Sequence, residues 1–548
     1  MTRKLAAFIA LAVFLLSPAL SPLPVLAASP QQTTDGWIPL ATGADYREYN
    51  LPGPVRAFVA RMAIAEPESG QDILTLESGV ARGQLGSVET VRGMAARYND
   101  AINYWGQQWG SRSEILVAVN GSYFGRSDTP ENGMIQSGWY AKRFDDLGGG
   151  SGLVWTLNRQ IFIGDCVYHQ KSKQILRVDG SDQPILINGI NIERKDDQLI
   201  IYTPQFSVST SNDPAGVEVV VQLTRPLLIL PLSQNPDVAV MGTVTDIRDQ
   251  TGSTVIPFDS IVLSASGSQR DLLLETLEVG STIRINQEIS SLKKDCETQN
   301  PLPWVKAYTS IGAALHLVNN GTINPPSEDS TRAPRTAVAY GSGFIYLIVV
   351  DGRQPDRSIG MTFQELGLFI RDMLGAQNAV AQDGGGSSTM VVNGSVINVP
   401  SDVCYRLFLP LTIKAGEETI KKPQIPLDEK FEPPMSLQNG CERRVANALM
   451  IAKVTSKEVS PMSFGNIGAV FSTAPAVLRV GPGTNYAGIT IVPAGSYGEI
   501  QQDDNQFNGI LAKGAYWWKV NFGGNTGWIT EDAIATLAPR VPSRLNQH

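Results

Sequence analysis

Histidine is almost missing from this chain, and its scarcity excludes several chemistries at once. Only His169, His316 and the terminal His548 are present. A histidine-rich metal centre is ruled out, and a Ser-His-Asp triad would have to use His169 or His316, neither of which sits in a motif. There is no Gly-x-Ser-x-Gly elbow and no Gly-x4-Gly-Lys-Ser/Thr loop, which argues against an α/β-hydrolase and a P-loop NTPase. Charge is also thin, with 18% Asp, Glu, Lys and Arg against the usual quarter. Lys and Arg number 44 against 52 Asp and Glu, for a formal charge of −8, and no basic run breaks the interleaving. Without clustered cations there is no grip on a phosphate backbone, so nucleic acid is not an expected partner. Cysteine is limited to 4 and never occurs as Cys-x-x-Cys, which removes the spacing that zinc ligation and dithiol redox chemistry need.

One long apolar run exists, at the very start. Arg3 and Lys4 precede an unbroken stretch from Leu5 to Leu16, followed by prolines and by Val25-Leu26-Ala27. A helix of that length spans about 18 Å, short of a bilayer's roughly 30 Å of hydrocarbon. Small residues at Val25 and Ala27 suit signal peptidase. Residues 1–27 are therefore expected to be a signal peptide cleaved near Ala27, with an uncleaved N-terminal anchor as the alternative. The mature chain is expected to be secreted or held at the cell envelope, and not to be an integral membrane protein. An even, small cysteine count fits two disulfides in an oxidising compartment. Of the three possible pairings, Cys166 with Cys296 and Cys404 with Cys441 are favoured, because each brackets an apparent insertion. Four buried free thiols are the other possibility.

Glycine (52) and proline (34) are plentiful and 42% of residues are hydrophobic, a composition that favours short strands and many turns. Residues 28–111 alternate polar and apolar stretches without a sharp motif. The run Ile115 to Val119 predicts a strand that stops at Asn120-Gly121-Ser122-Tyr123-Phe124, and short β runs fill the region from about 170 to 300. Phe344 to Val350 predicts a buried strand ending at Asp351-Gly352-Arg353. Thr362 and Glu365 form a capping-box pattern, the stripe Phe363, Leu366, Ile370, Met373 and Leu374 predicts a helix, and Gly375 supplies its stop. A further strand from Asn378 leads to Asp383-Gly384-Gly385-Gly386-Ser387-Ser388-Thr389, and Met390-Val391-Val392 precedes an Asn393-Gly394 hairpin turn. Residues 403–440 look like a surface insertion. From about 465 the strand signals become those of a compact barrel, with Leu478, Trp517, Trp518, Val520, Trp528 and Ile534 to bury.

In these motifs the chain resembles the phosphodiester glycosidase (uncovering-enzyme-like) family over residues 112–452. The resemblance rests on an ordered set: Asn120 to Phe124, Pro334-Arg335-Thr336-Ala337, Val350 to Arg353, the helix from Thr362 to Leu374, Asp383 to Met390, Pro400-Ser401-Asp402, and Glu442-Arg443 to Leu449. Residues 465–538 resemble a bacterial SH3-type module through the Leu478-Arg479-Val480-Gly481-Pro482 start and the Gly527-Trp528 finish. The implied fold class is α+β: a strand-rich catalytic domain at 112–459 with few helices, preceded by strand-rich residues 28–111 and followed by a small all-β SH3-like barrel.

The resemblance implies a hydrolase that cleaves the sugar–phosphate bond of glycosyl phosphodiesters in envelope or extracellular glycans, such as exopolysaccharide, and releases free sugar. Attack at an anomeric carbon passes through an oxocarbenium-like state that carboxylates stabilise, and the candidates are Asp383, Glu365, Asp351 and Glu442. A phosphate leaving group needs little protonation but does need its charge met, which guanidinium forks do bidentately. Arg335, Arg353 and Arg443 are the candidate clamps, Asn120, Thr336 and Ser388 candidate substrate contacts, and Gly384, Gly385, Gly386 and Ser387 a candidate anion nest. No cofactor is required on this reading, although an all-carboxylate calcium or magnesium site stays open. The barrel is expected to fold alone and to hold cell-wall glycan or peptide. Two other classes compete: a non-catalytic glycan-binding or envelope-assembly protein with the same fold, and a phosphodiesterase that breaks a P–O bond.

The favoured pairing of Cys404 with Cys441 would close a loop of about 38 residues and stabilise by roughly 4 kcal/mol on chain-entropy grounds. Non-reducing peptide mapping should recover the two cysteines joined; finding either one free, or linked to Cys166 or Cys296, rejects the pairing.

Overall fold

The computed structural model describes residues 36–66, 68, 73–105, 108–111, 113–144, 150–165, 167–224, 240–287, 289–291, 307–313, 315–324, 330–403, 439–454, 468–501 and 509–536. The signal-peptide reading, Cys166, Cys296, Cys404 and most of the 403–440 insertion lie outside them. Cys441 is disulfide-bonded.

Two antiparallel sheets face each other at the centre. The first has eight strands in the order Ile38–Ala41, Ala44–Leu51, Val55–Ala63, Phe344–Val350, Arg335–Gly341, Asn378–Gln382, Leu315–Asn319 and Thr322–Ile323. The second has five: Ser395–Val396, Met390–Val392, Ser113–Asn120, Asn447–Val454 and Ile73–Val80. Strand periodicity then sorts the side chains. Phe58, Met62, Leu347, Val349, Val338 and Val380 of the first sheet meet Leu76, Val117, Val119, Met390, Leu449 and Ile451 of the second in one buried core. The alternate residues of the first sheet, such as Val59, Ile348, Ala337 and Ala379, pack on Leu366, Phe369, Ile370 and Leu374. Those of the second, such as Ala118, Ala448 and Met450, pack on Val91, Met94 and Ala95 of the helix Val91–Tyr98. The result is a four-layer α-β-β-α arrangement, which agrees with the α+β expectation.

The helix after Thr362 starts with the full reciprocal capping box. It runs regularly over Phe363–Leu368 and then widens over Phe369–Met373, where Leu374 N reaches back five residues to Phe369 O at 3.3 Å. The widening turns Met373 out to 55% exposure, contrary to its place in the apolar stripe. Gly375 closes the helix at φ +71°.

Residues 174–287 form a second eight-stranded sheet that bends back on itself. Its two edge strands, Ile185–Leu186 and Gly189–Ile190, are neighbours in sequence, and Ile187 N and Asn188 N donate to Gln174 O and Leu199 O across the seam, at 2.9 and 2.8 Å. The C-terminal residues 468–536 form a third eight-stranded antiparallel sheet. Val470, Leu478, Val492, Trp518, Val520, Ile529 and Ile534 fill its own core.

The C-terminal unit is docked on the rest of the chain. Trp517 and Trp528 leave its core to form a buried cluster with Ala512, Ile102 and Phe258, with Phe258 edge-on to Trp528 at 5.4 Å between ring centres. Phe258 N donates to Val480 O at 3.0 Å and Lys513 N to Asp100 O at 2.8 Å. The Lys513 ammonium donates to Ala96 O at 2.8 Å and to Asn99 O, and Arg97 donates to Asn485 O at 3.0 Å. Neither tryptophan is thus open to a ligand. Truncating Trp528 to Ala should cost about 3–5 kcal/mol, as for other buried aromatics, and deleting residues 468–536 should lower the melting temperature of the remainder. Calorimetry that finds the truncated chain melting at the full-length temperature would show the contact to be energetically idle.

Candidate functional site

The glycine-rich segment after Asp383 is the crossover between the two central sheets. Asn378–Gln382 belongs to the first, where Gln382 is registered against Thr336. Met390–Val392 belongs to the second, where Met390 is registered against Val119. The turn that links them has room for little but glycine. A Cβ on Gly384 would lie 2.9 Å from Pro334 O, and one on Gly386 would sit 2.0 Å from Asp402 Oδ1 and 2.3 Å from an Arg443 nitrogen. Gly385 adopts φ +64° and donates to Pro334 O at 2.9 Å. Ser387 N folds back on Gly384 O at 3.3 Å. With the Gly384 N–H given to the Asp383 carboxylate, three of the four amides expected in an anion nest are therefore spent locally.

Asn120 bolts this crossover in place from beneath. It ends the strand Ser113–Asn120 fully buried. Its Nδ2 donates to Asp383 O at 2.6 Å, and its Oδ1 accepts from Thr336 Oγ1 at 2.7 Å and from Thr389 N at 3.2 Å. Thr336 Oγ1 also lies 3.2 Å from Ser388 Oγ. Asn120, Thr336 and Ser388 thus back the site from the protein side, whereas the resemblance had suggested substrate contacts.

Asp383 stands half-exposed above them. Ser387 Oγ donates to its Oδ2, and its own N–H is fixed on Gly121 O at 3.0 Å. Burial pushes its carboxyl above the usual carboxylate range; the Ser387 hydroxyl, the Arg443 charge and the Gly384 N–H oppose the rise, while Glu131 adds to it. Arg443 forks onto Asp402, with Nε and Nη2 at 2.8 and 2.9 Å from the two carboxylate oxygens, and its charge also reaches Asp383. Arg353 is exposed, adopts φ +59°, and places its guanidinium beside Gly385, both terminal nitrogens 3.2 Å from where a Cβ would be. It has no carboxylate partner among the described residues.

The remaining candidates have structural occupations. Asp351 is 1% exposed: its carboxylate accepts from Asn398 Nδ2 at 3.0 Å, from Val399 N at 3.1 Å and from Arg357 Nε at 3.3 Å. Burial raises its carboxyl, and these donors oppose the rise. It ties the end of Phe344–Val350 to the segment that follows the crossover. Glu365 is used at both oxygens, by Thr362 N at 2.9 Å and by Arg332. Glu442 seats one oxygen on Arg92 N at 2.7 Å, at the start of the helix Val91–Tyr98, where the helix dipole favours an anion. Arg335 donates to Met361 O at 2.9 Å and Thr331 O at 2.8 Å and stacks 3.7 Å above the Phe363 ring. These four act as struts; Glu442 alone among them keeps an oxygen, Oε2, buried without a hydrogen-bond partner among the described residues, 3.8 Å from Arg92 Nε.

Three residues that were not among the candidates complete the site. Glu131, on the loop after Gly121, faces Asp383 closely enough for its charge to be felt there. Gln382 Oε1 and Asn447 Oδ1 are buried without a hydrogen-bond partner among the described residues. Orphaned acceptors of this kind call for a donor from water or from a bound molecule. Neither histidine enters: Nε2 of His169 accepts from Phe144 N at 3.3 Å, and His316 pairs with Asp165 at 2.7 Å. Among the described residues, no three His, Cys, Asp or Glu side chains are grouped to hold a metal ion.

Residues 234–406 match the family model for phosphodiester glycosidases, a segment that contains Asp383, Arg353 and the whole crossover. The chain is similar to it in that segment. It is 39% identical over 71 residues to bovine N-acetylglucosamine-1-phosphodiester alpha-N-acetylglucosaminidase, and this stretch is 13% of the relative's length as well as 13% of this chain. Among solved structures, a hypothetical protein from Synechocystis is 17% identical with a TM-score of 0.44, covering 75% of this chain and 62% of that one. The zebrafish N-acetylglucosamine-1-phosphodiester alpha-N-acetylglucosaminidase catalytic domain is 14% identical with a TM-score of 0.29, covering 74% of this chain and 81% of that one.

Because Asn120 serves both sheets, Asn120→Ala should destabilise by at least about 2 kcal/mol, the scale of leaving buried groups unpaired, and should loosen the crossover. Urea unfolding measures the first effect and hydrogen exchange at residues 383–389 the second. An unchanged midpoint would mean that the three bonds contribute nothing.

Proposed function

We propose that this protein is a secreted hydrolase that cleaves the anomeric C–O bond of glycosyl phosphodiesters and releases free sugar. The observation that carries the reading is a fixed, partly desolvated carboxylate, Asp383, with the Arg353 guanidinium beside the same glycine crossover and without a carboxylate partner among the described residues. The family match over residues 234–406 supports the general chemistry. Arg353 forks onto the phosphodiester oxygens, so the leaving monoester departs with the electron pair and its charge is already met. Asp383, held by Ser387 and the Gly384 N–H, faces the positive charge that grows at the anomeric carbon. Partial burial strengthens that attraction, because little water screens it. Arg443, forked on Asp402, favours the ionised form of this group through its charge. The N-terminal sequence supports export, and the C-terminal unit, read as an SH3-type module, is proposed to hold cell-wall glycan or peptide on a surface other than the Trp517–Trp528 face.

Synthetic glycosyl-1-phosphate diesters hydrolysed in 18O-labelled water test the bond. The label should appear in free sugar, and Asp383→Asn should lower turnover at least roughly a hundredfold without changing the melting temperature, while Arg353→Met raises KM. Label in phosphate, with sugar phosphate as product, would identify a phosphodiesterase. Tight binding without turnover would identify a glycan-binding protein.

A further inference from the structure

We propose that Glu131 is the second carboxylate of this site, the base that takes the proton from the attacking water. The inference rests on the hydrolytic reading above and assigns a residue that the family-like motifs do not contain. It begins with position. The loop carrying Glu131 leaves from Gly121, whose carbonyl holds Asp383 N at 3.0 Å, and returns where Glu131 N donates to Tyr123 O at 2.7 Å. The loop end packs on Gly312 so tightly that a Cβ there would lie 2.5 Å from Glu131 O and 3.0 Å from Ser122 Cβ. Gly312 O in turn accepts from Gln382 Nε2 at 3.1 Å, one residue before Asp383. Glu131 is therefore built onto the wall next to Asp383 through two independent backbone contacts.

Availability is the second argument. The carboxylates of Asp351, Asp402 and Glu365 are engaged at both oxygens by arginines or amides, and Glu442 has one oxygen on Arg92 N and the other buried 3.8 Å from Arg92 Nε. Glu131 is exposed, and its carboxylate has no hydrogen bond or ion pair among the described residues. A base must have a lone pair free for the incoming proton, and Asp383 Oδ2 already has Ser387 on it. Beneath the same wall, Asn447 Nδ2 reaches Ser122 Oγ at 3.0 Å, while Asn447 Oδ1 and Gln382 Oε1 stay unpartnered. These acceptors suit water on the Glu131 side of Asp383. The charges around Asp383 agree: Arg443 favours its ionised form, and Glu131 opposes it, as two carboxylates sharing one site must.

The step balances without a cofactor. Water oxygen bonds to the anomeric carbon as the C–O bond to phosphorus-bound oxygen breaks, and the electron pair leaves on the phosphate monoester. The water proton passes to Glu131 and then to solvent. Asp383 stabilises the carbon centre throughout.

The test uses the full chain. Glu131→Gln should keep the wild-type melting temperature and a KM within about threefold, while kcat falls roughly a hundredfold or more. Azide, a nucleophile that needs no base, should restore turnover of Glu131→Gln and yield glycosyl azide, and it should not rescue Asp383→Asn. Glu131→Asp, which keeps the charge on a shorter arm, should retain intermediate activity. If the wild type releases sugar and Asp383→Asn is dead while Glu131→Gln turns over normally, the Glu131 assignment alone is overturned. Loss of activity in Glu131→Gln without azide rescue also overturns it. A wild type that never releases sugar removes the hydrolytic reading and this inference with it.

Discussion

One buried amide carries the register between the two central sheets. A primary amide carries a donor and an acceptor on separate atoms at the same end, and Asn120 uses both functions at a point where the sheets converge. One side reaches the carbonyl of Asp383 on the first sheet, and the other collects Thr336 and the amide of Thr389 on either side of the crossover. An aspartate would lack the donor and a leucine would lack everything. With this bolt in place the glycine turn can be as tight as it is, and Asp383 is presented by backbone on both sides and not by a mobile loop.

The electrostatics follow a simple division. Carboxylates with structural work lie under arginines or amides: Asp351 under Asn398 and Val399, Glu365 in its capping box, Glu442 on a helix start, Asp402 in the Arg443 fork. Among the described residues, Asp383 is only partly engaged, Arg353 lies beside Gly385 without a carboxylate partner, and Glu131 has its carboxylate free near Asp383. Their number and mixture of sign suit a substrate that bears one negative charge and must develop a positive one, and this chemical match supports the proposed reaction better than fold likeness does.

Much of the frame was legible because it is local. The run Phe344–Val350, the capping box at Thr362, the Gly375 stop and the Asn393-Gly394 turn depend on neighbours within a few residues, and the structure contains each of them. The site was less legible because its partners are distant in sequence. Nothing around Asp351 reveals that Asn398 and Val399 will occupy it, nor does Arg335 announce that Phe363 and the carbonyls of Met361 and Thr331 will fix it. Glu131 sits in a polar loop with no periodicity, and only folding sets it opposite a residue about 250 positions later, where long-range contact and not pattern decides. The tryptophans show the same limit: sequence foretold that Trp517 and Trp528 would be buried, but not that the burial would join two units.

The helix Val91–Tyr98 has a further mechanical meaning. Its first turn is seated on Glu442, the residue before Arg443, and its last carbonyls are held by Lys513 of the C-terminal unit. An anion at the start and a cation at the end both suit the helix dipole, so each attachment strengthens the other's footing. The helix is a strut about 12 Å long, connecting the docked unit to the backbone that presents the Arg443 fork. Tension applied to the C-terminal unit would run along this axis and arrive one residue from the Arg443 fork beside Asp383.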